Sequence, residues 1–426
     1  MSSIQKLATS NQQPSDLPTV KHNLSTIDKE PATKNSSESI AGRKRGTANR
    51  KRVLMLLTNA FEPDPRVHQE ALSLIQNGYD ITLLCWDRDC KFLHEEVIDG
   101  IKIERICVHS THGRGSAQVP FLLLFWLKAY RRVISRNFNI VHCHDFDTLP
   151  LGYVLAKRKK AKLIYDAHES YTDMLTNLPG WFKKAVYRIE NFLLKRIDLL
   201  ITVGEILRET FEKRGVRHSC VVGNWKDPSK FEFPPEVLED EKQRLHISNG
   251  QLVIAFIANL GKERQLTQLI EAVKETPSVT LVVGGDGPCR GVVEEAARKY
   301  SNIIYLGYVH PSKVSLYTAI SDIIFYGFDP SSPNSKFSAP NKLFEALAAG
   351  KAVLTGDFGE IGRIVKETNC GFIVNNYSVD EIKNKFASLK AETLDQFKEN
   401  AYRHALGKYN WENASLILLS HYRNLH

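Results

Sequence analysis

The 426-residue sequence lacks the features that mark a membrane-spanning, secreted or disulfide-rich protein. No apolar run approaches the ~18 residues that a membrane-spanning helix needs, because the longest, Val119 to Leu127, has nine. The N-terminal segment is polar and has no hydrophobic core of a secretion signal. The seven cysteines form no CxxC pair, and several lie in apolar runs, so we expect buried thiols in a reducing compartment. These absences predict a cytoplasmic protein, or one peripheral on the cytoplasmic face of a membrane.

The globular part of the chain also has little surplus charge. The net charge is +9, but residues 1–52 hold ten Lys and Arg against four Asp and Glu, which leaves only +3 for the rest. A nucleic-acid-binding domain concentrates basic charge on its folded surface. The distribution therefore disfavours nucleic acid as a partner. With 42% hydrophobic and 25% charged residues, the composition is that of an ordinary globular protein.

Strand-like and helix-like patterns alternate along most of the chain. Residues 1–50 are the exception, because they are rich in polar residues and proline and have no apolar periodicity. From Lys51 onward, β-branched or leucine-rich runs alternate with helical patterns, which is typical of a parallel sheet covered on both faces. We predict an α/β protein divided as follows: a disordered basic tail in 1–50, a doubly wound N-terminal domain in 51–225, a charged linker in 226–250, a doubly wound C-terminal domain in 251–408, and a C-terminal helix in 409–426 that packs back toward the N-terminal domain.

Strands are predicted in both domains, and their ends indicate where ligands bind. They cover residues 53–57, 80–85, 140–143, 162–165, 199–203 and 219–222 in the first domain, and 252–257, 279–283, 303–306, 323–326, 352–355 and 372–374 in the second. Open parallel sheets bind ligands beyond the carboxyl ends of their strands. Two such domains facing one another therefore define an interdomain cleft.

The most informative motif is SKFSAPNKLFEALAAGKAVL, at residues 335–354. Pro340 suits the start of a helix and Gly350 its C-terminal exit. The loop from Ser338 to Lys342 then presents free backbone N–H groups, a positive dipole end and an ammonium to the cleft, which predicts a diphosphate site. Glu345, one turn further in, is placed to accept hydrogen bonds from a ribose. The alternative is an ordinary amphipathic helix with exposed Lys and Glu.

Two histidines share one face of a predicted strand of the first domain. His142 and His144 lie two residues apart at the strand end, and His168 and Glu169 end the neighbouring strand. The cluster is similar to a zinc site, but no third ligand has a diagnostic spacing, so no metal is expected. We interpret His142 as a core residue with satisfied hydrogen bonds.

Two arginines follow strands and are expected near the cleft. Arg66 comes after Asp64-Pro65, which has the pattern of a helix start, and is placed to meet an acceptor phosphate. Arg264 follows the turn at 258–261, where a guanidinium can form a bidentate pair with phosphate oxygens. Capping alone explains Asp64 and Pro65, and a solvated helix-start arginine is the alternative for Arg264.

The segment PNKLFEALAAGKAVL looks like the signature of the nucleotide-sugar glycosyltransferases of family four, whose GT-B fold has two Rossmann-like domains facing a cleft. The resemblance covers about residues 51–426. Other segments that resemble the family in order and spacing are FEPDPRVHQEAL at 61–72, NIVHCHDFDTLP at 139–150, KLIYDAHES at 162–170, DLLITVGE at 198–205, VVGGDGP at 282–288 and YNWENASLILLSHY at 409–422.

The resemblance implies a retaining transferase that moves a hexosyl group from a nucleotide-diphosphate sugar to a hydroxyl of a lipid-linked or polysaccharide acceptor. It implies no metal or other cofactor, and a departing phosphate oxygen that takes the acceptor's proton. His144 matches the family's cleft histidine. Together with the patterns above, the candidate residues are His144, Arg264, Lys342 and Glu345 for catalysis, Asn259, Arg264, Ser338, Asn341, Lys342 and Glu345 for the donor, and Arg66, His144, His168 and Glu169 for the acceptor or cleft.

The sequence departs from the family at the donor site. Many members carry two glutamates eight residues apart; the second is Glu345, but the first aligns with Phe337. Asn334, Ser335 or Ser338 could hydrogen-bond the donor sugar instead. The Arg and Lys that commonly hold the donor diphosphate align with Asn259 and Arg264, so one cation remains, with Lys342 as a second candidate.

Two stretches, residues 119–136 and 178–196, combine aromatic and basic residues. They fit an anionic membrane surface, or alternatively helices that pack on the sheet. Two other functions remain open: a catalytically silent nucleotide-binding scaffold subunit of a glycan-assembly complex, which Phe337 motivates, and a GT-B nucleotide-sugar epimerase or phosphorylase.

Overall fold

The computed structural model describes residues 50–62, 64–111, 115–175, 178–332 and 334–425. The predicted disordered tail, apart from Arg50, lies outside the described residues. Within them, no helix is both long enough and apolar enough to cross a membrane.

The N-terminal domain contains a mainly parallel sheet. Its strands, among the described residues, are β1 (Arg52–Leu57), β2 (Asp80–Asp87), β3 (Glu95–Ile98), β4 (Ile101–Cys107), β5 (Ile140–His144), β6 (Lys162–Ala167), β7 (Leu199–Thr202) and β8 (Ser219–Val221). Their order is β3-β4-β2-β1-β5-β6-β7-β8, and only the β3–β4 pair is antiparallel. The central strands are buried on both faces, and this burial explains their nearly continuous hydrophobic sequences.

Helices cover both faces of this sheet. They are α1 (Pro65–Gln76), α2 (Val119–Val133), α3 (Leu149–Lys159), α4 (Tyr171–Met174), α5 (Gly180–Leu194) and α6 (Glu205–Glu212). Successive residues of a strand point to opposite faces. In β6, Tyr165 bonds to Glu190 of α5, whereas Asp166 bonds to Arg66 of α1. Helices α1 and α5 therefore lie on opposite faces.

The C-terminal domain contains a fully parallel sheet. Its described strands are β9 (Leu252–Ile257), β10 (Val279–Gly284), β11 (Ile303–Tyr305), β12 (Ile323–Phe325), β13 (Ala352–Gly356) and β14 (Gly371–Val374), in the order β11-β10-β9-β12-β13-β14. The helices from the linker onward are α7 (Pro235–Arg244), α8 (Leu266–Lys274), α9 (Arg290–Lys299), α10 (Pro311–Ala319), α11 (Asn341–Ala348), α12 (Gly359–Thr368), α13 (Val379–Ala387), α14 (Ala391–Gly407) and α15 (Trp411–Arg423).

The chain passes between the domains twice. After β8, residues 222–227 lead toward the C-terminal domain, and the segment predicted as a linker contains helix α7. After α14 the chain returns, because α15 contacts α1 and β8 of the N-terminal domain. Tyr422 of α15 is fully buried there, with its hydroxyl 2.6 Å from Nδ1 of His142.

The structure corrects two expectations about the N-terminal domain. The strands β3 and β4 were not predicted; they form a hairpin whose turn residues, Asp99 and Gly100, both have positive φ. Not all cysteines are thiols, because Cys90 and Cys107 form a disulfide. The parallel pairing of β2 with β4 places Cys107 opposite Asp87, and therefore beside the loop that carries Cys90. The other five cysteines are free and buried, as predicted.

Candidate functional site

A cavity of about 480 Å³ lies in the cleft between the two domains, at the carboxyl ends of their strands. It is lined by residues that follow β1, β6, β8, β9 and β12, and by the segment that enters α11. The predicted site residues that line it are Arg66, His168, Glu169, Asn259, Arg264, Ser338, Asn341 and Lys342. The sequence patterns therefore identify residues of a common cleft that are far apart in the chain.

Helix α11 begins at this cavity, directly after Pro340. Its first N–H groups have no intrahelical acceptor and are available to an anion. Lys342 is not a free cation, because its Nζ lies 2.6 Å from Oε2 of Glu345 and both side chains are mostly buried. Glu345 itself does not line the cavity; it lies one turn further into the helix and is 9% exposed.

Arg264 lies on the opposite wall, in a short 3-10 turn after β9. Its Nη1 donates to the hydroxyl of Tyr326 at 2.7 Å, and its guanidinium carbon lies 4.6 Å from the ring centre of Phe328. The preceding loop is fixed by a close backbone approach, since a Cβ on Gly285, which has a φ of +134°, would lie 1.9 Å from the carbonyl oxygen of Ala258. A glycine is therefore required at this turn.

The position aligned with the family's first glutamate does not face the cavity, because Phe337 is 2% exposed and packs in the core. Ser335 is also buried, and its hydroxyl donates to backbone carbonyls. Asn334 joins the domains: its Nδ2 donates to Glu169 at 2.9 Å, and its Oδ1 accepts from the backbone N–H of Ser170 at 3.1 Å. Ser338 lines the cavity and is the remaining candidate for contact with a donor sugar.

A network of buried charges lies beneath the N-terminal wall of the cavity, with Asp166 at its centre. Arg66 donates to both oxygens of this carboxylate, and His168 Nε2 lies 3.2 Å from Oδ2. Although burial alone would raise it, Arg66 and His168 hold the pKa of Asp166 well below its usual range. Burial opposes a charged His168, but Asp145 and Asp166 raise its pKa to about 10. His168 is therefore a cation at the edge of the cleft.

Two residues predicted for the acceptor or cleft, Arg66 and His144, are largely buried in this structure. Arg66 lines the cavity but is only 8% exposed, and its guanidinium already contacts Asp166, Glu70 and the carbonyl oxygen of Val222. His144 is fully buried and does not line the cavity; its Nδ1 lies 3.3 Å from Asp166. His144 therefore lies beneath the wall of the cleft, whereas Arg66 forms part of that wall. His142 is buried, as predicted, but only its Nδ1 has a hydrogen-bond partner.

The same network contains four residues whose ligand atoms converge. One such atom from each of Glu70, His142, His144 and Asp166 lies within 4.8 Å of the others. Arg66 bridges the two carboxylates, at 3.1 Å from Glu70 and 2.9 Å from Asp166. A divalent cation would therefore have to approach a guanidinium already held in the same group. The donor set, taken with Arg66, fits an internal ion-pair network better than a metal centre.

An acidic pocket of about 490 Å³ adjoins the main cavity and shares Asp64, Pro65 and Asn341 with it. It lies beyond the carboxyl ends of β1 and β2. Its charged lining residues are Glu62, Asp64, Asp87, Arg88 and Asp89. Carboxylates outnumber cations here, so this pocket favours neutral, hydroxyl-rich groups over phosphates.

Sequence reasoning missed one cation of the main cavity. Lys226 lines it, and its Nζ donates to Oδ1 of Asn341 at 2.7 Å. The residue lies in the segment that was interpreted as a linker. Its position shortly after β8, and so near the carboxyl edge of the sheet, is the signal that could have found it.

Comparisons with known proteins identify families for both domains. A model described as Glycosyltransferase Family 4 matches residues 66–230, and one described as Glycosyl transferases group 1 matches residues 237–404. Together the matches cover more than three quarters of the chain.

Similar curated proteins include an alpha-monoglucosyldiacylglycerol synthase of Acholeplasma laidlawii, which is 27% identical over 48% of this chain and 56% of its own. A D-inositol 3-phosphate glycosyltransferase of Rhodococcus erythropolis is 22% identical over 84% of this chain and 85% of its own. The chain thus spans only about half the length of the first of these relatives, and of a second alpha-monoglucosyldiacylglycerol synthase, from Streptococcus pneumoniae.

Solved structures share the fold at low sequence identity. A sucrose-phosphate synthase from Thermosynechococcus elongatus superposes with a TM-score of 0.71 at 15% identity, covering 88% of this chain and 99% of its own. Anabaena HepE in complex with UDP gives a TM-score of 0.66 at 15% identity, covering 88% and 100%. The predicted fold and family are confirmed: the chain has the GT-B fold and belongs to family four of the glycosyltransferases.

Proposed function

We propose that this protein is a retaining glycosyltransferase that moves a hexosyl group from a nucleotide-diphosphate sugar to a hydroxyl of a lipid-linked or polysaccharide acceptor. The interdomain cavity is the observation that carries the proposal. Its walls combine the start of α11, the Arg264 guanidinium and the His168 imidazolium. Positive groups on several sides of one cavity suit a diphosphate, whose charge grows as the glycosidic bond breaks.

Each donor-side residue has a distinct proposed role. Arg264 and the N–H groups of α11 stabilise the departing diphosphate. Glu345 lies one turn behind the cavity wall, where its pairing with Lys342 fixes the orientation of both side chains; accepting from the ribose is the role that the family resemblance implies for it. Asn259 and Ser338 line the same cavity and contact the donor from its two walls. The proposed reaction needs no metal or other cofactor. The retaining outcome is proposed from the family resemblance alone, and in that mechanism the departing phosphate oxygen takes the acceptor proton.

The acceptor is proposed to enter through the acidic pocket beside the cavity. Carboxylates such as Asp64 and Asp89 accept hydrogen bonds from hydroxyl groups and repel phosphates. A relative named as an alpha-monoglucosyldiacylglycerol synthase supports a lipid as the class of acceptor.

A membrane surface is the proposed location of a lipid-linked acceptor. Helices α2 and α5 both contact α3 and so lie on one face of the sheet. They expose large apolar side chains, with Trp181 72% and Leu123 51% exposed. Basic residues such as Arg131 and Lys184 lie on the same helices. An apolar surface interleaved with cations suits the interface of an anionic bilayer. We therefore propose peripheral association with the cytoplasmic face of a membrane.

Donor binding tests the proposal directly. Thermal unfolding is measured with UDP, GDP and their sugar conjugates for the natural protein, Arg264→Ala and Glu345→Ala. The exposed Lys262, on the same turn as Arg264, supplies the control Lys262→Ala. A ligand at 100 times its dissociation constant stabilises the folded state by ~2.7 kcal/mol. We expect nucleotides of one base, uracil or guanine, to stabilise the natural protein. This stabilisation should be smaller in Arg264→Ala and Glu345→Ala and unchanged in Lys262→Ala.

Two other results would change the assignment. No stabilisation of the folded natural protein by any nucleotide would contradict the donor site. Binding without turnover across a broad acceptor panel would favour the scaffold function, and a modified nucleotide-sugar without free nucleotide would favour an epimerase.

A further inference from the structure

The cations that line the interdomain cavity differ in how far they are already neutralised. Lys342 is paired with Glu345, and Arg66 with Asp166 and Glu70. Lys226 is different, because the hydrogen bond of its ammonium goes to a neutral amide oxygen, that of Asn341. Among the described residues, it forms no ion pair with a carboxylate. A cation that is partly removed from water without a counterion favours binding an anion.

The backbone around Lys226 holds this ammonium at the start of α11. Asn224 donates to the carbonyl oxygen of Ala339 at 3.1 Å, which ties the segment to the loop before the helix. The backbone of Lys226 also forms an isolated parallel β-bridge with Asn410, the N-cap residue of helix α15. The ammonium therefore adds a full charge to the positive end of the helix dipole.

The electrostatic environment agrees with this geometry. Burial lowers the pKa of Lys226, and the neighbouring Lys342 and Arg66 lower it further against the opposing effect of Glu345. An anion in the cavity would raise the pKa of Lys226, because it stabilises the protonated amine.

We propose that Lys226 binds the diphosphate of the donor, so that the segment between the domains supplies a phosphate-binding residue in addition to Arg264 of the C-terminal domain. This inference rests on the proposed function. Lys226 is proposed to contact the diphosphate of the donor and not its nucleoside. Nucleotide affinity consequently depends on where the interdomain segment holds this ammonium.

The test compares binding of uridine, UMP and UDP, and of guanosine, GMP and GDP, by isothermal titration calorimetry. The variants are Lys226→Ala, the charge-retaining Lys226→Arg, and the control Lys230→Ala, which removes an exposed lysine from the same segment. We expect Lys226→Ala to weaken the nucleoside diphosphate about 10-fold, as for loss of a charge-assisted hydrogen bond. The nucleoside should change by less than about twofold, Lys226→Arg should restore part of the loss, and Lys230→Ala should behave as the natural protein does.

Three results would overturn the inference, and they are distinguishable. Unchanged diphosphate affinity in Lys226→Ala, with loss in Arg264→Ala, would reject Lys226 while leaving the proposed function intact. Equal weakening of nucleoside and diphosphate would show a merely structural role. If the natural protein binds none of the nucleotides, the proposed function fails and this inference fails with it.

Discussion

A side chain of the C-terminal domain caps helix α6 of the N-terminal domain, and this contact leads to a testable prediction. Glu360 lies in the first turn of α12 and is 1% exposed. Its carboxylate accepts from the backbone N–H groups of Glu205 and Ile206, at 3.1 and 2.9 Å. Helix α6 has Gly204 at its N-cap and no cap from its own side chains. A Cβ on Gly204 would lie 2.8 Å from Glu360, so the glycine makes this approach possible.

Replacing Glu360 by alanine should release the start of α6. Loss of an N-cap costs roughly 0.5–2 kcal/mol, and hydrogen bonds to a charged group contribute roughly 1.5–3 kcal/mol. The adjoining cavity at Glu205 and Glu360 lets water reach the freed N–H groups. We therefore expect a net loss near ~2 kcal/mol, which corresponds to about 30-fold faster hydrogen exchange in the first turn of α6.

Hydrogen exchange measured by mass spectrometry on a peptide spanning α6 checks this value. Glu360→Gln keeps carboxamide oxygen as an acceptor and should give an intermediate rate. Glu367→Ala is the control, because Arg363 pairs with both Glu360 and Glu367, and the exposed Glu367 makes no hydrogen bond or ion pair with the described residues of α6. Exchange in Glu360→Ala at the natural rate would refute the interdomain cap. Equal acceleration by Glu367→Ala would assign the effect to Arg363 instead.

Three further predictions concern charge and surface. The pKa of His168 is raised to about 10, so the folded state binds this proton more tightly than the unfolded state does. The contribution of this proton to the free energy of unfolding should be fully present below about pH 6.5 and should decline toward pH 10, by at most ~1.4 kcal/mol per pH unit. Urea unfolding should show that His168→Gln flattens this slope, and an unchanged slope would contradict the imidazolium. Excess EDTA should leave transferase activity unchanged, whereas a loss restored by zinc, magnesium or manganese would reveal a metal requirement. Trp181→Glu should reduce co-sedimentation with phosphatidylglycerol vesicles at low salt, and Val237→Glu on α7 should not; equal binding of all proteins would exclude α5 as the docking surface.

Much of the fold could be predicted because buried parallel strands have a distinctive sequence. The run Leu252–Ile257 is β9 residue for residue, and Val53–Leu57 misses only Arg52 of β1. The hairpin of β3 and β4 was missed, since β3 is a short, half-exposed edge strand with two glutamates. The Asp99-Gly100 pair was its available signal, because this dipeptide favours a tight hairpin turn.

For the candidate site, the sequence predicted the role of a residue only where that role involves the helix or strand to which the residue belongs. Asp64 accepts from two N–H groups at the start of α1, as its position before Pro65 predicted. The direction of the His144 side chain also follows from strand alternation, but its depth beneath the cavity does not. Burial of His144 depends on α1, which carries Arg66 from a distant part of the sequence. The role of Glu360 was equally hidden, since its partners belong to the other domain.

The sequence also cannot tell which cations of the cleft are free to bind a ligand. A count of basic residues gives equal weight to Arg66, Lys342 and Lys226, yet the first two are already paired with carboxylates. Lys226 instead lies against the amide of Asn341, across the boundary between the domains. The same boundary is joined by Asn334 with Glu169, on the other side of the cavity. An anion held between these contacts would interact with groups from both domains, so its binding should stabilise their present arrangement.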